Sequence, residues 1–140
     1  MKVNLLSDVH LEFGDFDPGT GDVLILAGDI CVAPYLAILG DERDKYLEFF
    51  NQCVENYEKV FYIMGNHEHY QGDFNQTLMI LRACVPDEIT ILHNQVATYR
   101  GVNFVGATLW TSMDQANPIK IDEARHRMND YYSVVNGPQN

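Results

Sequence analysis

Three short apolar runs in the first half of the chain each stop at a small or polar residue, and this feature constrains the fold more than any other. The runs occupy residues 2–7, 22–27 and 59–64. Compact apolar runs that end at Gly, Asp or Asn are typical of buried β-strands. We therefore expect three buried strands, which lead into Asp8, into Gly28-Asp29 and into Gly65-Asn66.

Helical spacing of apolar residues occurs between and after these runs. The pattern predicts a helix over residues 42–57, with Asp41 as its N-cap, and a second helix over 73–85. The second half adds three strands and one helix, predicted at 89–92, 96–99, 102–108 and 119–128. With 140 residues the chain fits one domain, 1–140, of the layered α/β class. In such sheets ligands bind beyond the carboxyl ends of the strands.

Charge and apolar content narrow the classes of function. The formal net charge of −11 repels polyanions, so binding to a nucleic-acid polymer is not expected. Clustered carboxylates attract metal ions instead, and a bound cation reverses the local field for a phosphate. No apolar run reaches the length of about 18 residues that a membrane span requires, and the first residues do not form a signal peptide. We expect a cytoplasmic protein that does not cross a membrane.

The residues at the three predicted strand ends are of metal-binding types. Asp8 and His10 form a D-x-H pair, and in an extended segment residues two apart point to the same side. Asp29 follows one glycine, and Asn66-His67 follows another. If the three strands are neighbours in one sheet, these corners meet in space. Carboxylate, imidazole and amide oxygen donors suit Mn, Fe, Zn or Mg, so we expect two divalent cations there.

The same residues predict a chemistry. A carboxylate can bridge two cations, and Asp29 lies between the other two corners in the sequence. Two ions about 4 Å apart can clamp a phosphate and activate a water for attack, and His67 is the candidate that protonates the leaving oxygen. Taken singly, Asp8 could be a cap, His10 a loop residue and Asn66 a turn former. The joint pattern at three successive strands is what indicates a site.

The motifs Asp8-x-His10, Gly28-Asp29 and Gly65-Asn66-His67-Glu68 occur in this order at the predicted strand ends. With them the chain resembles the calcineurin-like metallophosphoesterases, above all the small bacterial and phage members. The resemblance extends over nearly the whole chain through the stretches SDVHLEF, LAGDI, GNHE-Y, GATLW and RMNDY, at residues 7–13, 26–30, 65–70, 106–110 and 127–131. It implies two packed β-sheets with helices on the outer faces, and hydrolysis of a small phosphomonoester or phosphodiester.

The resemblance also implies roles for individual residues. Asp8 and His10 would bind the first metal, Asp29 would bridge, and Asn66 would bind the second metal. His67 would stabilise or protonate the leaving group, so that Asn66 and His67 would both contact the substrate.

Apart from the resemblance, Arg125 or Arg127 could reach a substrate phosphate in bidentate fashion. Either arginine could instead simply pair with Asp122 or Glu123.

One part of the family pattern is absent from this sequence. The resembled enzymes complete their site with further histidines, two of them in a Gly-His-x-His motif, whereas this sequence contains no Gly-His dipeptide. The second metal would then have only Asp29 and Asn66, and catalytic sites commonly supply three protein ligands. We therefore expect the N-terminal part of an enzyme, incomplete at its C-terminus. The alternatives are a chain that takes ligands from another protomer, or a weak or inactive relative that serves as a binding module.

An incomplete second sheet has a consequence for the surface. It would expose an apolar edge or face, which favours a homo-oligomer or a partner chain. Two other expectations concern side chains near the motifs. Glu68 is equally compatible with a role behind the metal ligands and with a solvated loop carboxylate, and Leu109 and Trp110 are expected in the core.

Overall fold

A computed structural model describes residues 1–137 of the chain, and within them lie strands that form one main sheet and two small ones. In chain order the strands are β1 (Val3–Leu6), β2 (Gly21–Ala27), β3 (Tyr57–Ile63), β4 (Gly72–Asp73), β5 (Ile89–Ile91), β6 (Gln95–Tyr99), β7 (Val102–Gly106) and β8 (Val134–Val135). The helices are α1 (Asp41–Asn56), α2 (Thr77–Cys84), α3 (Met113–Ala116), α4 (Pro118–Arg127) and α5 (Asp130–Ser133).

The main sheet positions everything that follows. Its four strands lie in the order β1-β2-β3-β5, and all neighbouring pairs are parallel. Parallel strands all end at the same edge, so the loops after β1, β2 and β3 meet there. The strand ends predicted from the apolar runs therefore converge, as expected.

The two faces of the main sheet are covered by different layers. On one face, Leu24 and Leu26 of β2 are completely buried in a core that also contains Phe50 of α1 and Leu81 of α2. On the other face, the antiparallel hairpin of β6 and β7 packs against β2, β3 and the segment after β5. The layered α/β arrangement of two packed sheets with helices outside is thus confirmed.

Phe61 anchors the hairpin to the main sheet. Its ring stacks on that of Phe104 with the ring centroids 4.4 Å apart, and Val23 and Leu92 are buried beside it. Stacked aromatic pairs of this kind contribute about 0.5–1.5 kcal/mol beyond the area that they bury. The second sheet is consequently held over the centre of the first.

The first strand is not buried as expected. Val3 is 44% and Leu5 is 63% exposed, although they lie on the same sheet face as the buried Val23. The reason is position, because β1 forms the edge of the sheet and the hairpin reaches only its inner neighbours. Val3 and Leu5 therefore form an exposed apolar edge of the main sheet.

The helix boundaries also differ from the predictions. Asp41 is the first residue of α1 rather than its cap. The N-cap is Gly40, which has no side chain that could accept a hydrogen bond from the first turn. Tyr57 begins β3 instead of ending α1. The second helix begins only at Thr77, because Asp73 pairs with Val135 in the small parallel sheet of β4 and β8.

The region after β7 departs from the predictions as well. Leu109 is 93% and Trp110 is 51% exposed, so neither residue fills the core. The predicted helix at residues 119–128 is present as α4. Among residues 1–137, no helix combines the length and the apolarity that a bilayer crossing would need.

Candidate metal centre

Asp8, His10 and Asp29 lie together at the carboxyl edge of the main sheet. One ligand atom from each of the three side chains lies within 4.8 Å of the other two. Main-chain hydrogen bonds fix this arrangement, since Asp8 N–H donates to the Gly28 carbonyl at 3.1 Å and His10 N–H donates to the Asp29 carbonyl at 3.0 Å. The first two sequence motifs thus form one cluster of donors.

All three of these residues have left-handed backbone conformations. The φ angles are 56° at Asp8, 50° at His10 and 53° at Asp29. Asp and His occur in this region more often than most residues other than glycine, yet each such residue costs of order 1 kcal/mol. Three strained donors in one cluster are typical of a functional site, where the surrounding structure holds them against the strain.

The two glycines of the motifs are required by close approach between loops. A Cβ at Gly28, whose φ is +91°, would lie 2.8 Å from the backbone nitrogen of Gly65. A Cβ at Gly65 would lie 2.7 Å from the backbone nitrogen of Asp29. The loops after β2 and β3 therefore touch at these glycines, and this contact brings the third motif to the cluster.

The third motif joins the cluster through Asp29. The backbone N–H of His67 donates to Asp29 Oδ1 at 2.9 Å. Asn66 Nδ2 donates to the Tyr70 hydroxyl at 3.4 Å, so the amide oxygen of Asn66 is the atom left to serve as a ligand. Asn66 itself has a right-handed conformation, with φ −82° and ψ −33°, and is not a positive-φ turn former.

Glu68 is completely buried beneath the cluster. Its Oε1 accepts hydrogen bonds from Ile30 N–H and from the Tyr62 hydroxyl, both at 2.8 Å. Its Oε2 accepts from Gly65 N–H at 2.7 Å and from Asp29 N–H at 3.1 Å. Burial raises the pKa of Glu68, and these donors offset part of that rise. The carboxylate ties the loops of the second and third motifs together from below.

The imidazole of His67 is held on three sides. Its Nδ1 lies 2.9 Å from Glu12 Oε1. Its ring stacks on Tyr70 with centroids 4.1 Å apart, and it meets His10 edge-on with centroids 4.3 Å apart. The predicted catalytic histidine therefore lies directly beside a predicted metal ligand.

Sequence reasoning missed Glu12, Tyr70 and Asp130 as parts of the site. Tyr70 hydroxyl lies 3.3 Å from Asp130 Oδ2, and Asp130 Oδ1 is buried without a hydrogen-bond partner among the described residues. Asp130 lies far from Tyr70 in the sequence. The pairing of β4 with β8 brings its segment next to the loop that carries Tyr70. Its only signal was its place in the stretch at residues 127–131 that carries the family resemblance.

An open depression of about 570 Å³ lies next to the cluster and is lined by Asn66, Gly65, Trp110 and Asp130, among others. A small phosphate ester fits a space of this size. Arg127 lines a different depression, with Lys120 and Glu123. Its role as a substrate contact is therefore a prediction that finds no support in this geometry.

The donors present fit one divalent cation well and a second one poorly. Asp8, His10 and Asp29 supply the three protein ligands that are usual for a catalytic metal, with oxygen and nitrogen atoms that suit the predicted ions. A second cation would have Asp29 and Asn66 from the predicted set of residues. A further group of ligand atoms within 4.8 Å of one another, from His10, Glu12 and His67, shares His10 with the first.

Comparison with known proteins places this geometry in context. A calcineurin-like phosphoesterase family model matches residues 1–120. An uncharacterized protein, L509, of Acanthamoeba polyphaga mimivirus is 31% identical over 145 aligned residues, which cover 92% of this chain and 50% of that protein. The fold is similar to the crystal structure of phosphopantetheinyl hydrolase from Mycobacterium tuberculosis, with a TM-score of 0.62 and 16% identity, over 98% of this chain and 56% of that one.

The chain thus spans about half the length of the proteins that it matches. Its family is nevertheless clear, because the matching region contains the main sheet and all three donor-bearing loops. The chain belongs to the calcineurin-like phosphoesterase family.

Proposed function

We propose that this chain carries the metal-binding front part of a phosphoesterase that hydrolyses a small phosphomonoester or phosphodiester with a metal-activated water. The observation that carries the proposal is the convergence of Asp8, His10 and Asp29 within 4.8 Å at the carboxyl edge of the sheet. His67 lies next to this cluster, with its ring centroid 4.3 Å from that of His10. The family membership and the hydrolase fold of the structural neighbour support the same reaction class.

In the proposed site each residue has a defined task. Asp8, His10 and Asp29 would hold one cation, and Asp29 with Asn66 would hold a second. Bound divalent cations supply positive charge for the phosphate oxygens and lower the pKa of a coordinated water. Asn66 is oriented for this task by the hydrogen bond from its Nδ2 to Tyr70.

His67 would move the proton that the leaving oxygen needs. Its Nδ1 is engaged by Glu12 at 2.9 Å, so Nε2 is the nitrogen that can meet the substrate. An imidazole is suited to this role because it gains and loses a proton near neutral pH.

A second candidate function is a binding module that holds one cation without turnover. It is favoured by the asymmetry of the donors, since the predicted set gives the first cation three residues and the second cation only Asp29 and Asn66. Under this hypothesis the chain would bind phosphate esters weakly, or would need a second chain to complete the site.

The two hypotheses are separated by assaying a nitrophenyl phosphodiester and a nitrophenyl phosphomonoester with added Mn²⁺, Zn²⁺, Mg²⁺ or Fe²⁺. The phosphoesterase predicts metal-dependent hydrolysis that is lost in Asp29→Ala and His67→Ala. Asp87→Ala is the matched control, because Asp87 is exposed and precedes β5, at the edge of the main sheet opposite the cluster. Hydrolysis that survives both Asp29→Ala and His67→Ala would exclude this site. A folded protein that binds one cation tightly and shows no hydrolysis with any metal would support the binding module.

Other expectations remain proposals. We propose that residues 1–140 act as one domain in the cytoplasm and that the chain forms a homo-oligomer or joins a partner. The exposed Val3 and Leu5 support the association, because apolar patches on sheet edges are typical interaction surfaces. Light scattering coupled to size-exclusion chromatography tests it, and replacement of both residues by Thr should then lower the measured mass.

A further inference from the structure

Glu12 lies between two histidines of the proposed site. Its Oε1 is 3.1 Å from Nδ1 of His10 and 2.9 Å from Nδ1 of His67. The side chain is only 13% exposed, and its Oε2 is buried without a hydrogen-bond partner among the described residues. A mostly buried carboxylate is costly unless it is paired, and the two imidazoles are the side chains that pair with it.

The distances identify these contacts as hydrogen bonds. Both lie within the usual N–H···O range of about 2.7–3.2 Å. A carboxylate oxygen can accept two N–H donors but has no proton to give when it is ionised. His10 and His67 must therefore both carry a proton on Nδ1. Glutamate side chains are ordinarily ionised at neutral pH, and a carboxylate that accepts from both rings satisfies the two contacts together.

We propose that Glu12 is a positioning residue shared by the metal ligand and the catalytic histidine: its single oxygen Oε1 fixes the Nδ1–H tautomer of both His10 and His67. The inference rests on the proposed function and deepens it. For His10, the tautomer leaves the Nε2 lone pair free to coordinate a cation. For His67, the protonated Nδ1 leaves Nε2 as the nitrogen that exchanges a proton with the substrate.

Sharing one oxygen also couples the two histidines. Carboxylates behind metal-binding histidines orient the ring and increase its basicity, and their loss typically costs about 10- to 100-fold in metal affinity or activity. Here the same acceptor also sets the ring of His67, which meets His10 edge-on at 4.3 Å. A change at Glu12 should therefore affect both the cation site and the proton donor, although Glu12 would touch neither the cation nor the substrate.

The tautomers can be read directly from metal-free protein. Long-range proton–nitrogen correlation spectra of nitrogen-15-labelled protein distinguish Nδ1–H from Nε2–H imidazoles, and the chain has five histidines to assign. We expect His10 and His67 to be Nδ1–H forms in the wild type. In Glu12→Leu and Glu12→Ala, which remove the acceptor oxygen, both should shift towards mixtures that contain the Nε2–H form.

The control variant is Glu55→Gln, which removes the same charge from an exposed position on α1. It should leave all five histidine patterns unchanged. Two variants at Glu12 guard against misfolding of either one, and near-ultraviolet circular dichroism confirms that each is folded. Unchanged Nδ1–H patterns at His10 and His67 in a folded Glu12 variant would overturn the proposal.

A second measurement uses Zn²⁺ alone as the probe. By calorimetry, Glu12→Ala should bind Zn²⁺ about 10- to 100-fold more weakly than the wild type, whereas Glu55→Gln should bind it equally well. If Zn²⁺ instead removes the Nδ1–H signal of wild-type His67, the metal sits among His10, Glu12 and His67, and the positioning role is wrong. Neither the tautomers nor the Zn²⁺ affinity depends on turnover. If the protein showed no hydrolysis, these measurements would still decide whether Glu12 positions the two histidines.

Discussion

The buried carboxylate of Glu68 accepts the backbone N–H of Asp29 across 39 residues of sequence, at a distance of 3.1 Å. The same oxygen accepts Gly65 N–H, and the other oxygen accepts Ile30 N–H. The side chain that follows His67 thus holds the loop that carries the proposed bridging ligand. Its contribution is structural, because all of its hydrogen bonds point into the protein.

Replacement of Glu68 by Ala should destabilise the protein by about 3 kcal/mol or more, because several buried donors would lose their acceptor at once. Glu68→Gln should be intermediate, since its NH₂ group would face N–H donors that it cannot bond. Urea unfolding monitored by fluorescence measures both. Glu88→Gln, at an exposed position, serves as the control and should change stability by less than about 0.5 kcal/mol. Equal stability of Glu68→Gln and the control would show that the buried network contributes little.

Gly65→Ala should displace Asp29, because the added Cβ would lie 2.7 Å from the Asp29 nitrogen. We expect a destabilisation of about 1–3 kcal/mol, as is usual for overpacking, together with weaker Mn²⁺ binding. Gly14→Ala is the matched control, because its Cβ would meet nothing within 4 Å. Thermal unfolding and Mn²⁺ titration followed by electron paramagnetic resonance give the two readouts. Normal Mn²⁺ affinity in a folded Gly65→Ala variant would contradict the proposed contact between these loops and the site.

The left-handed conformation of His10, with φ 50°, predicts an unusual order of stability between two variants. His10→Gly and His10→Ala both lose the imidazole and its contacts. Ala retains a Cβ that opposes this conformation, whereas Gly does not, so the Gly variant should be more stable by about 1 kcal/mol. Guanidinium unfolding curves compare them. A more stable Ala variant would mean that the loop relaxes to a negative φ without the imidazole.

His69 should make stability depend on pH. Its ring is buried, stacks on Phe74 with centroids 4.3 Å apart and lies with Nδ1 2.8 Å from Thr77 Oγ1. Burial, with a smaller effect from His93, lowers the pKa of His69 below its usual 6.5. The unfolded chain therefore binds a proton first as the pH falls. The stability that His69 contributes is complete above pH 6.5 and is lost below it, towards the lowered pKa.

The measurement is the free energy of unfolding at pH 7.5 and pH 5.5 in wild type and in His69→Phe. The wild type should lose more stability on acidification than His69→Phe does. His126→Gln, which changes a largely exposed histidine, should keep the wild-type dependence. If His69→Phe shows the same loss on acidification as the wild type, the buried imidazole is not the group responsible.

Those parts of the site that depend on local sequence were predictable. Asp8, Asp29 and Asn66 follow apolar runs that stop abruptly, and parallel strands bring such ends to one edge whatever the rest of the chain does. The approach of the loops was also signalled, because Gly28 and Gly65 precede two of the donors. The pattern thus predicted which residues would meet at this edge of the sheet.

What escaped prediction depends on contacts between distant segments. The sequence does not distinguish the buried Glu68 from a solvated loop glutamate, since the N–H donors of residues 29 and 30 lie 39 and 38 positions away. Leu109 and Trp110 have core-type side chains but lie exposed, because no described layer covers them. The edge position of β1 was equally hidden, because an apolar run does not reveal whether a sheet has a neighbour on each side.

The main-chain hydrogen bonds from Asp8 to Gly28 and from His10 to Asp29 have a consequence for engineering. These bonds use only backbone N–H and carbonyl groups. Every replacement residue except proline has the same N–H group. Exchanging Asp8 for Asn, or Asp29 for Glu, would therefore alter the charge and hardness of the donor set while the anchoring points stay in place. Such substitutions would change which metal ion the proposed site prefers. The backbone hydrogen bonds would keep the substituted residues in their positions.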